Sequence, residues 1–195
     1  SPISNASSRP EEIKNMSEQA KKVELIECPI VLNYNFSAGR ATTQFLRGMK
    51  QGKLIGQRSP LTGKVIAPPR GACPESGLPT TEEVPLPDTG TVITFTIVHL
   101  PIPTSALEPP FIVANLVLDG SDQTFIHLVS GCANEDVKIG MRVKAKWKDQ
   151  SEWDYSMDNI VYFEPTGEPP VDIEALKASR LEEAKRFLKT KAETK

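Results

Sequence analysis

The sequence has few of the residues from which an active site or a disulfide framework is usually built. Its 195 residues include only 3 cysteines and 2 histidines, and the cysteines Cys28, Cys73 and Cys132 are widely separated. An odd and scattered set of cysteines does not indicate disulfides, so a reducing cytoplasm is the expected compartment. The chain contains no P-loop and no G-x-G-x-x-G motif. Because a catalytic nucleophile needs a base beside it, we expect no catalytic residues in this chain.

The sequence also has a small net charge and no long apolar run. The formal net charge is -2 and the sequence pI is ≈ 5.8. Binding to a phosphate backbone usually needs a basic surface, so we expect no nucleic-acid partner, although a local basic face is compatible with this balance. An aromatic content of 6% gives little support for base stacking. No apolar run reaches membrane-spanning length, so no membrane association is expected.

The stretch from residue 59 to residue 77 has the outline of a zinc ribbon without most of the ligands. It contains two turn motifs, S-P-L-T-G at residues 59–63 and C-P-E-S-G at residues 73–77. Rubredoxin-like ribbons use two C-P-x-C-G knuckles, in which glycine permits a tight turn and four thiolates bind zinc. Here the four ligand positions are Ser59, Thr62, Cys73 and Ser76. Because hydroxyl groups stay protonated near neutral pH, we predict a ribbon-shaped hairpin without metal.

Two apolar segments precede the ribbon. Residues 38–51 have helical periodicity, and Phe45 and Met49 lie on one face of the predicted helix. Such a stripe is typical of core packing, and it also suits a surface that contacts a partner. The apolar residues around Ile30 and Leu32 are expected to lie extended on another surface, either of this chain or of a partner. Ile30, Leu32, Phe45 and Met49 are therefore the candidate partner-interface residues.

After the ribbon the apolar residues recur with a period of two, which predicts strands. The loop at residues 101–110 carries four prolines and cannot join a central sheet, so we expect it to extend from the mouth of a barrel. Asp119-Gly120 is a hairpin turn signal. Five strands are the number that an OB barrel needs. The predicted strands are residues 91–100, 111–118, 124–129, 141–147 and 160–163.

A helix is predicted from residue 172 to about residue 190, and it can pack on its own barrel or dock on a partner. The predicted organisation therefore has four parts and is mainly β. An N-terminal extension covers residues 1–36, and a helix with the degenerate zinc ribbon covers residues 37–80. A five-stranded OB-fold barrel covers residues 81–166, and a C-terminal helix covers residues 167–195.

Single polar residues offer little chemistry. His99 and His127 lie inside predicted strands, where a hydrogen-bonded structural imidazole is the expected role, and Cys73 has no histidine near it in sequence. Arg70 is held between a double proline and Gly71. Its guanidinium suits the diphosphate of coenzyme A or a carboxylate of a partner, and a pairing with a nearby acid of its own chain is an equal alternative.

The order of these motifs resembles one known family. From about residue 37 to residue 164 the chain presents a helix, GKLIGQR, the two knuckles, GTVITFTIVH, PPFIVANLVLDG and VKIGMRVKAKW. This order is similar to that of the acyl-CoA-associated OB-fold family, once known only as a domain of unknown function. The resemblance implies an N-terminal helix, a rubredoxin-like ribbon and a C-terminal OB barrel, together with a thiolase-like or MaoC-like partner protein.

The resemblance also implies a function. It points to a non-catalytic partner subunit of a sterol-carrier-protein-x-type thiolase or aldolase, in a heterotetramer that cleaves a carbon–carbon bond of a bulky CoA thioester, with steroid side-chain degradation the best-fitting process. Arg70, Pro101 and Pro103 are then candidates for the substrate entrance or for contact with CoA. Two alternatives stay open: a partner of a MaoC-like enoyl-CoA hydratase, and a stand-alone OB-fold module that binds acyl-CoA or nucleic acid.

Overall fold

The computed structural model describes residues 32–101 and 106–193. The chain divides into two compact units, residues 1–36 and residues 37–195, and all the described helices and strands belong to the second unit. Within the described residues, no helix combines the length and the apolar character that crossing a lipid bilayer would require.

A helix and a small sheet form the first half of the second unit. Helix α1 is Gly39–Met49, and it buries Ala41, Phe45 and Met49, which recur every four residues along one face. Three antiparallel strands follow in the spatial order β2-β1-β3. They are β1 Leu54–Arg58, β2 Val65–Ile66 and β3 Glu82–Leu86. The hairpin between β1 and β2 carries the first knuckle, and the second knuckle lies between β2 and β3.

Five further strands close into a barrel with the order β4-β5-β6-β8-β7, in which β4 also pairs with β7. Strand β5 alternates half-buried and buried side chains along its whole length, as a strand in a barrel wall must. The predicted mainly β fold with a five-stranded OB barrel is thus confirmed. The strands are β4 Thr89–Val98, β5 Phe111–Leu118, β6 Thr124–Val129, β7 Arg142–Trp147 and β8 Ile160–Pro165.

One hydrophobic core joins helix α1 to the barrel. Side chains that are almost fully buried fill the barrel interior, so the barrel is a packed core without a channel. Phe45 and Met49 belong to this core, with exposed fractions of 3% and 0%. Asn159, in the turn before β8, donates a hydrogen bond of 3.0 Å from Nδ2 to the carbonyl oxygen of Met49 and so fixes the end of the helix. The other main core residues are Val92, Ile112, Leu116, Val143, Ile160 and Phe163.

The C-terminal helix α2, Ile173–Glu193, packs on its own chain. Ala184 is the one residue of this helix that is buried, and it lies against Gly63 of the first knuckle. A Cβ atom on Gly63 would come within 2.6 Å of the Ala184 carbonyl oxygen, so only glycine permits this approach. The guanidinium of Arg58 lies over the ring of Phe187, with the Arg58 Cζ atom 4.4 Å from the ring centroid. The helix thus contacts its own domain through a few residues, and its docking on a partner stays a prediction.

His127 is a group through which acid is expected to destabilise the barrel. Its ring lies edge-on to Phe125 and Phe163, and Nδ1 accepts a hydrogen bond of 2.9 Å from the Leu128 amide. Burial lowers the pKa of His127 below its ordinary value, although the charge of Asp158 acts in the opposite direction. Because the folded pKa lies below the unfolded one, the stabilisation is complete above about pH 6.5 and is lost as the pH falls through the folded pKa.

We therefore expect the free energy of unfolding to decrease between pH 7 and pH 5, and the decrease to be smaller in His127→Phe. Urea unfolding at a series of pH values measures this difference. His99→Phe is the matched control, because His99 is exposed. An unchanged pH dependence in His127→Phe would show that other groups are responsible.

Candidate functional site

The two knuckles fold as the tight turns that their glycines predict. In the first, the amide of Gly63 donates a hydrogen bond of 3.0 Å to the carbonyl oxygen of Ser59. In the second, the amide of Gly77 donates one of 2.8 Å to the carbonyl oxygen of Cys73. Both glycines have positive φ, +71° and +68°, a region that side-chain-bearing residues rarely adopt. The backbone of a ribbon is therefore present in both turns.

The four former ligand positions come together around the Cys73 sulfur. Thr62 Oγ1 lies 3.8 Å from Cys73 Sγ, and Ser59 Oγ accepts a hydrogen bond of 3.2 Å from the amide of Thr62. Burial raises the pKa of the Cys73 thiol, but hydrogen bonds from the Ser59 and Ser76 hydroxyls and from backbone amides outweigh it and lower the pKa to about 6. Hydroxyl groups thus hydrogen-bond to this sulfur at the place where a zinc ribbon would bind its metal ion.

The donor set of this cluster does not fit zinc. Structural zinc sites use four thiolate or imidazole ligands, and one thiol with three hydroxyls falls well short of that. Across residues 32–101 and 106–193, no group of three or more His, Cys, Asp or Glu side chains could hold a metal ion. That the purified chain contains no zinc stays a prediction.

Arg70 lies on the surface beside the start of α1. Its side chain is exposed, and it has no ion pair or hydrogen bond with any described residue. The next residue, Gly71, has φ +83° and packs along the helix, because a Cβ atom there would lie 3.5 Å from the Ala41 Cβ. The pairing of Arg70 with an acid of its own chain is thus not found in the described part.

The other predicted site residues differ in where they lie and in how exposed they are. Pro101 is exposed at the end of β4, Leu32 is exposed, and Ile30 and Pro103 lie outside the described residues. The prediction that Phe45 and Met49 contact a partner is corrected. Both side chains are inside the chain's own core and offer no surface to a second protein, because the same helical stripe that suits a partner is used against the barrel.

Two leucines next to the knuckles are exposed apolar residues that the sequence did not single out. Leu61 is 59% exposed and Leu78 is 43% exposed. Leu61 occupies the variable position of the first knuckle, and Leu78 directly follows the glycine of the second. Single exposed apolar residues are common on protein surfaces, so exposure alone assigns these two leucines no role.

Two carboxylates in the turn after β5 pair with arginines of other elements and so stabilise the fold. Asp119 accepts two hydrogen bonds from the Arg142 guanidinium, of 2.7 Å to Oδ1 and 2.6 Å to Oδ2. Burial tends to raise the pKa of Asp119, but Arg142 and the Thr89 hydroxyl outweigh it and keep the pKa below its usual value. Asp122 is held in a similar way by Arg180 of helix α2. Both arginine partners are remote in sequence, so no local pattern could have identified these pairs.

The matches to known proteins agree with this architecture. Residues 83–148 match the family model described as the C-terminal OB-fold domain of ChsH2. A DUF35 domain-containing scaffold protein of Methanocaldococcus jannaschii is 33% identical over 96 residues, which are 49% of this chain and 67% of the relative. This chain belongs to the DUF35 family. The resemblance drawn from the order of the motifs is thereby confirmed.

Two solved structures are also similar to this DUF35 chain. One is described as the Ltp2-ChsH2(DUF35) aldolase, with 26% identity, a TM-score of 0.49, and coverage of 65% of this chain and 95% of that chain. The other is a DUF35 protein of unknown function from Sulfolobus solfataricus, with 21% identity and a TM-score of 0.49. Its match covers 65% of this chain and 84% of that chain.

Proposed function

We propose that this chain is a non-catalytic partner subunit of a thiolase-fold enzyme that acts on a CoA thioester. Membership of the DUF35 family carries the proposal, since the relative in Methanocaldococcus jannaschii is described as a scaffold protein. The chemistry of the described residues supports it. Cys73 is surrounded by hydroxyl groups, and His127 is half-buried with its ring against two aromatic rings. A lowered pKa makes the Cys73 thiol a better nucleophile, but its exposed fraction is only 2%, so neither residue offers an accessible nucleophile with a base beside it.

The finer proposal is that the complex is a heterotetramer that cleaves a carbon–carbon bond of a bulky acyl-CoA by retro-aldol or thiolytic chemistry. A steroid side chain is the best-fitting substrate by the resemblance of the motifs. In this arrangement the partner supplies the catalytic groups. Arg70, Pro101 and Pro103 border the substrate entrance, while Leu61 and Leu78 contribute apolar area to the interface.

Two other functions remain as competing candidates. A MaoC-like hydratase as partner would use the same surfaces of this chain, so only the identity of the partner separates it from a thiolase. A stand-alone OB module for acyl-CoA or nucleic acid needs a binding face of its own. The filled barrel interior disfavours an acyl chain inside it, and the exposed Lys144 and Lys146 of β7 are the feature that a nucleic-acid module would use.

Co-expression tests the proposal. We expect this chain to elute with a thiolase-fold protein encoded beside it, in equal numbers, and that protein to be inactive or insoluble alone. Release of a ketone or of a shortened acyl-CoA then measures the cleavage. A candidate enzyme that is fully active alone, while this chain elutes free, would refute the proposal. Salt-dependent binding of oligonucleotides by the free chain would favour the nucleic-acid module instead.

A further inference from the structure

The part of the chain around α1 and the ribbon has a strong excess of positive charge, although the whole chain is nearly neutral. Between residue 32 and residue 74 there is no aspartate or glutamate, and there are seven lysines and arginines. The side chains of three of the seven, Arg40, Arg47 and Arg70, have no ion pair or hydrogen bond with any residue that the structure describes. Their charge is therefore not used to hold this fold together.

A cavity of about 240 Å³ opens beside one of these arginines. Its walls come from the first half of α1, from strand β1 and from the segment that leads into β3, and they contain no acidic residue. The polar residues that line it are Arg40, Gln44, Gln57, Thr80 and Thr81. The cavity is thus surrounded by hydrogen-bonding side chains and one cation.

Gln57 is the informative residue in this cavity. Its exposed fraction is only 3%. The Thr80 hydroxyl donates a hydrogen bond of 2.9 Å to Gln57 Oε1, and the two Nε2 hydrogens have no partner among the described residues. Among the described residues the one fully buried side-chain polar atom without a partner is Gln123 Oε1, so Gln57 Nε2 stays accessible to water from the cavity, and an acceptor that enters would replace that water.

The start of helix α1 adds to the same positive field. The residue before the helix is Ala38, whose side chain makes no capping hydrogen bond, and the first turn contains no acidic residue. The first amide hydrogens of an α-helix have no intrahelical acceptor, and the helix dipole places partial positive charge there. Arg40 and Ala41 of this first turn line the cavity.

We propose that this cavity binds a phosphate group, with Arg40 and the Gln57 amide as its principal side-chain donors. Because Gln57 is recessed, the cavity favours a compact anion that can enter it. The carboxylates of a protein surface would reach only the exposed arginines. A guanidinium fork and amide donors suit phosphate oxygens. If the proposed function is right, the phosphate is that of the CoA thioester, and Arg70 directly precedes Gly71, which lines the same cavity.

Titration of the full-length chain with inorganic phosphate, followed by amide chemical shifts, tests the site. We expect saturable shifts around α1 and Gln57 in the millimolar range. Arg40→Ala should weaken binding about tenfold, as expected for the loss of a charge-assisted hydrogen bond. Arg47→Ala is the matched control, because it removes the same charge from the same helix about 10 Å away, where salt screens most of its effect. Shifts that do not saturate, or equal affinity in both variants, would overturn the site.

The source of the phosphate is tested with CoA and with pantetheine, which lacks the phosphates. CoA that binds more tightly than phosphate, in an Arg40-dependent way, while pantetheine fails to bind, would support CoA as the ligand. Binding of phosphate but not of CoA would refute that assignment and leave the phosphate site standing. Co-elution of Arg40→Ala with the partner enzyme keeps this result separate from the test of the proposed function.

Discussion

Replacing Ser59, Thr62 and Ser76 by cysteine is expected to give the chain one tightly bound zinc ion per molecule. The two knuckle turns already have ribbon geometry, and Thr62 Oγ1 lies 3.8 Å from Cys73 Sγ. In a zinc tetrahedron with arms of about 2.3 Å, two sulfurs are about 3.8 Å apart. Zinc binding to such sites in small domains contributes about 10–16 kcal/mol, so the melting temperature of the variant should rise strongly with zinc and fall with a chelator.

Elemental analysis of the purified proteins measures this result. The parent chain is expected to contain well under one zinc, and a chelator should leave its melting temperature unchanged. The same triple variant with Cys73→Ser is the control, since it has three thiols in place of four. A folded triple variant without zinc would show that the turns do not direct the four side chains to one point. Stoichiometric zinc in the parent, lost on mutation of Cys73, would contradict the prediction that the ribbon is metal-free.

The substitution Asp122→Ala is expected to destabilise the protein by about 3 kcal/mol, as when one partner of a buried ion pair is removed. Asp122 joins three parts of the structure. Its carboxylate accepts hydrogen bonds of 3.1 Å and 2.8 Å from Arg180 of α2, and Oδ2 accepts another of 2.7 Å from the Val65 amide of β2. Removing it leaves the Arg180 guanidinium, whose side chain is only 13% exposed, without its main partner.

Urea unfolding measures the loss, and hydrogen exchange shows whether the amides of α2 lose protection first. Glu183→Ala is the matched control, because Glu183 also pairs with Arg180 but its side chain is 54% exposed. Its loss should cost less than about 1 kcal/mol. Equal destabilisation by the two substitutions would mean that burial of the Asp122 pair does not anchor the helix.

The secondary structure of the barrel was predictable because its signals are local. Strands β5 and β6 begin and end where the period of two and the Asp119-Gly120 turn place them, and Gly120 has the positive φ, +84°, that such a turn uses. Helix α1 was predicted within two residues at each end. The roles of its side chains were harder to assign. An apolar stripe is the same whether it faces the chain's own core or a partner, and only the closed barrel decided that Phe45 and Met49 face inward.

The sequence by itself determined the class of the fold, the turn geometry of both knuckles, the lack of ligands for zinc and the absence of acids between residues 32 and 74, because each depends on residue types at short spacing. Only the tertiary structure decided which residues meet. Asp122 and Arg180 are 58 residues apart, Arg142 and Asp119 are 23 apart, and Gln57 reaches Thr80 across 23 residues to line the cavity beside Arg40. A contact between distant residues is set by how strands and helices pack, and a single sequence carries no local pattern that reports such packing.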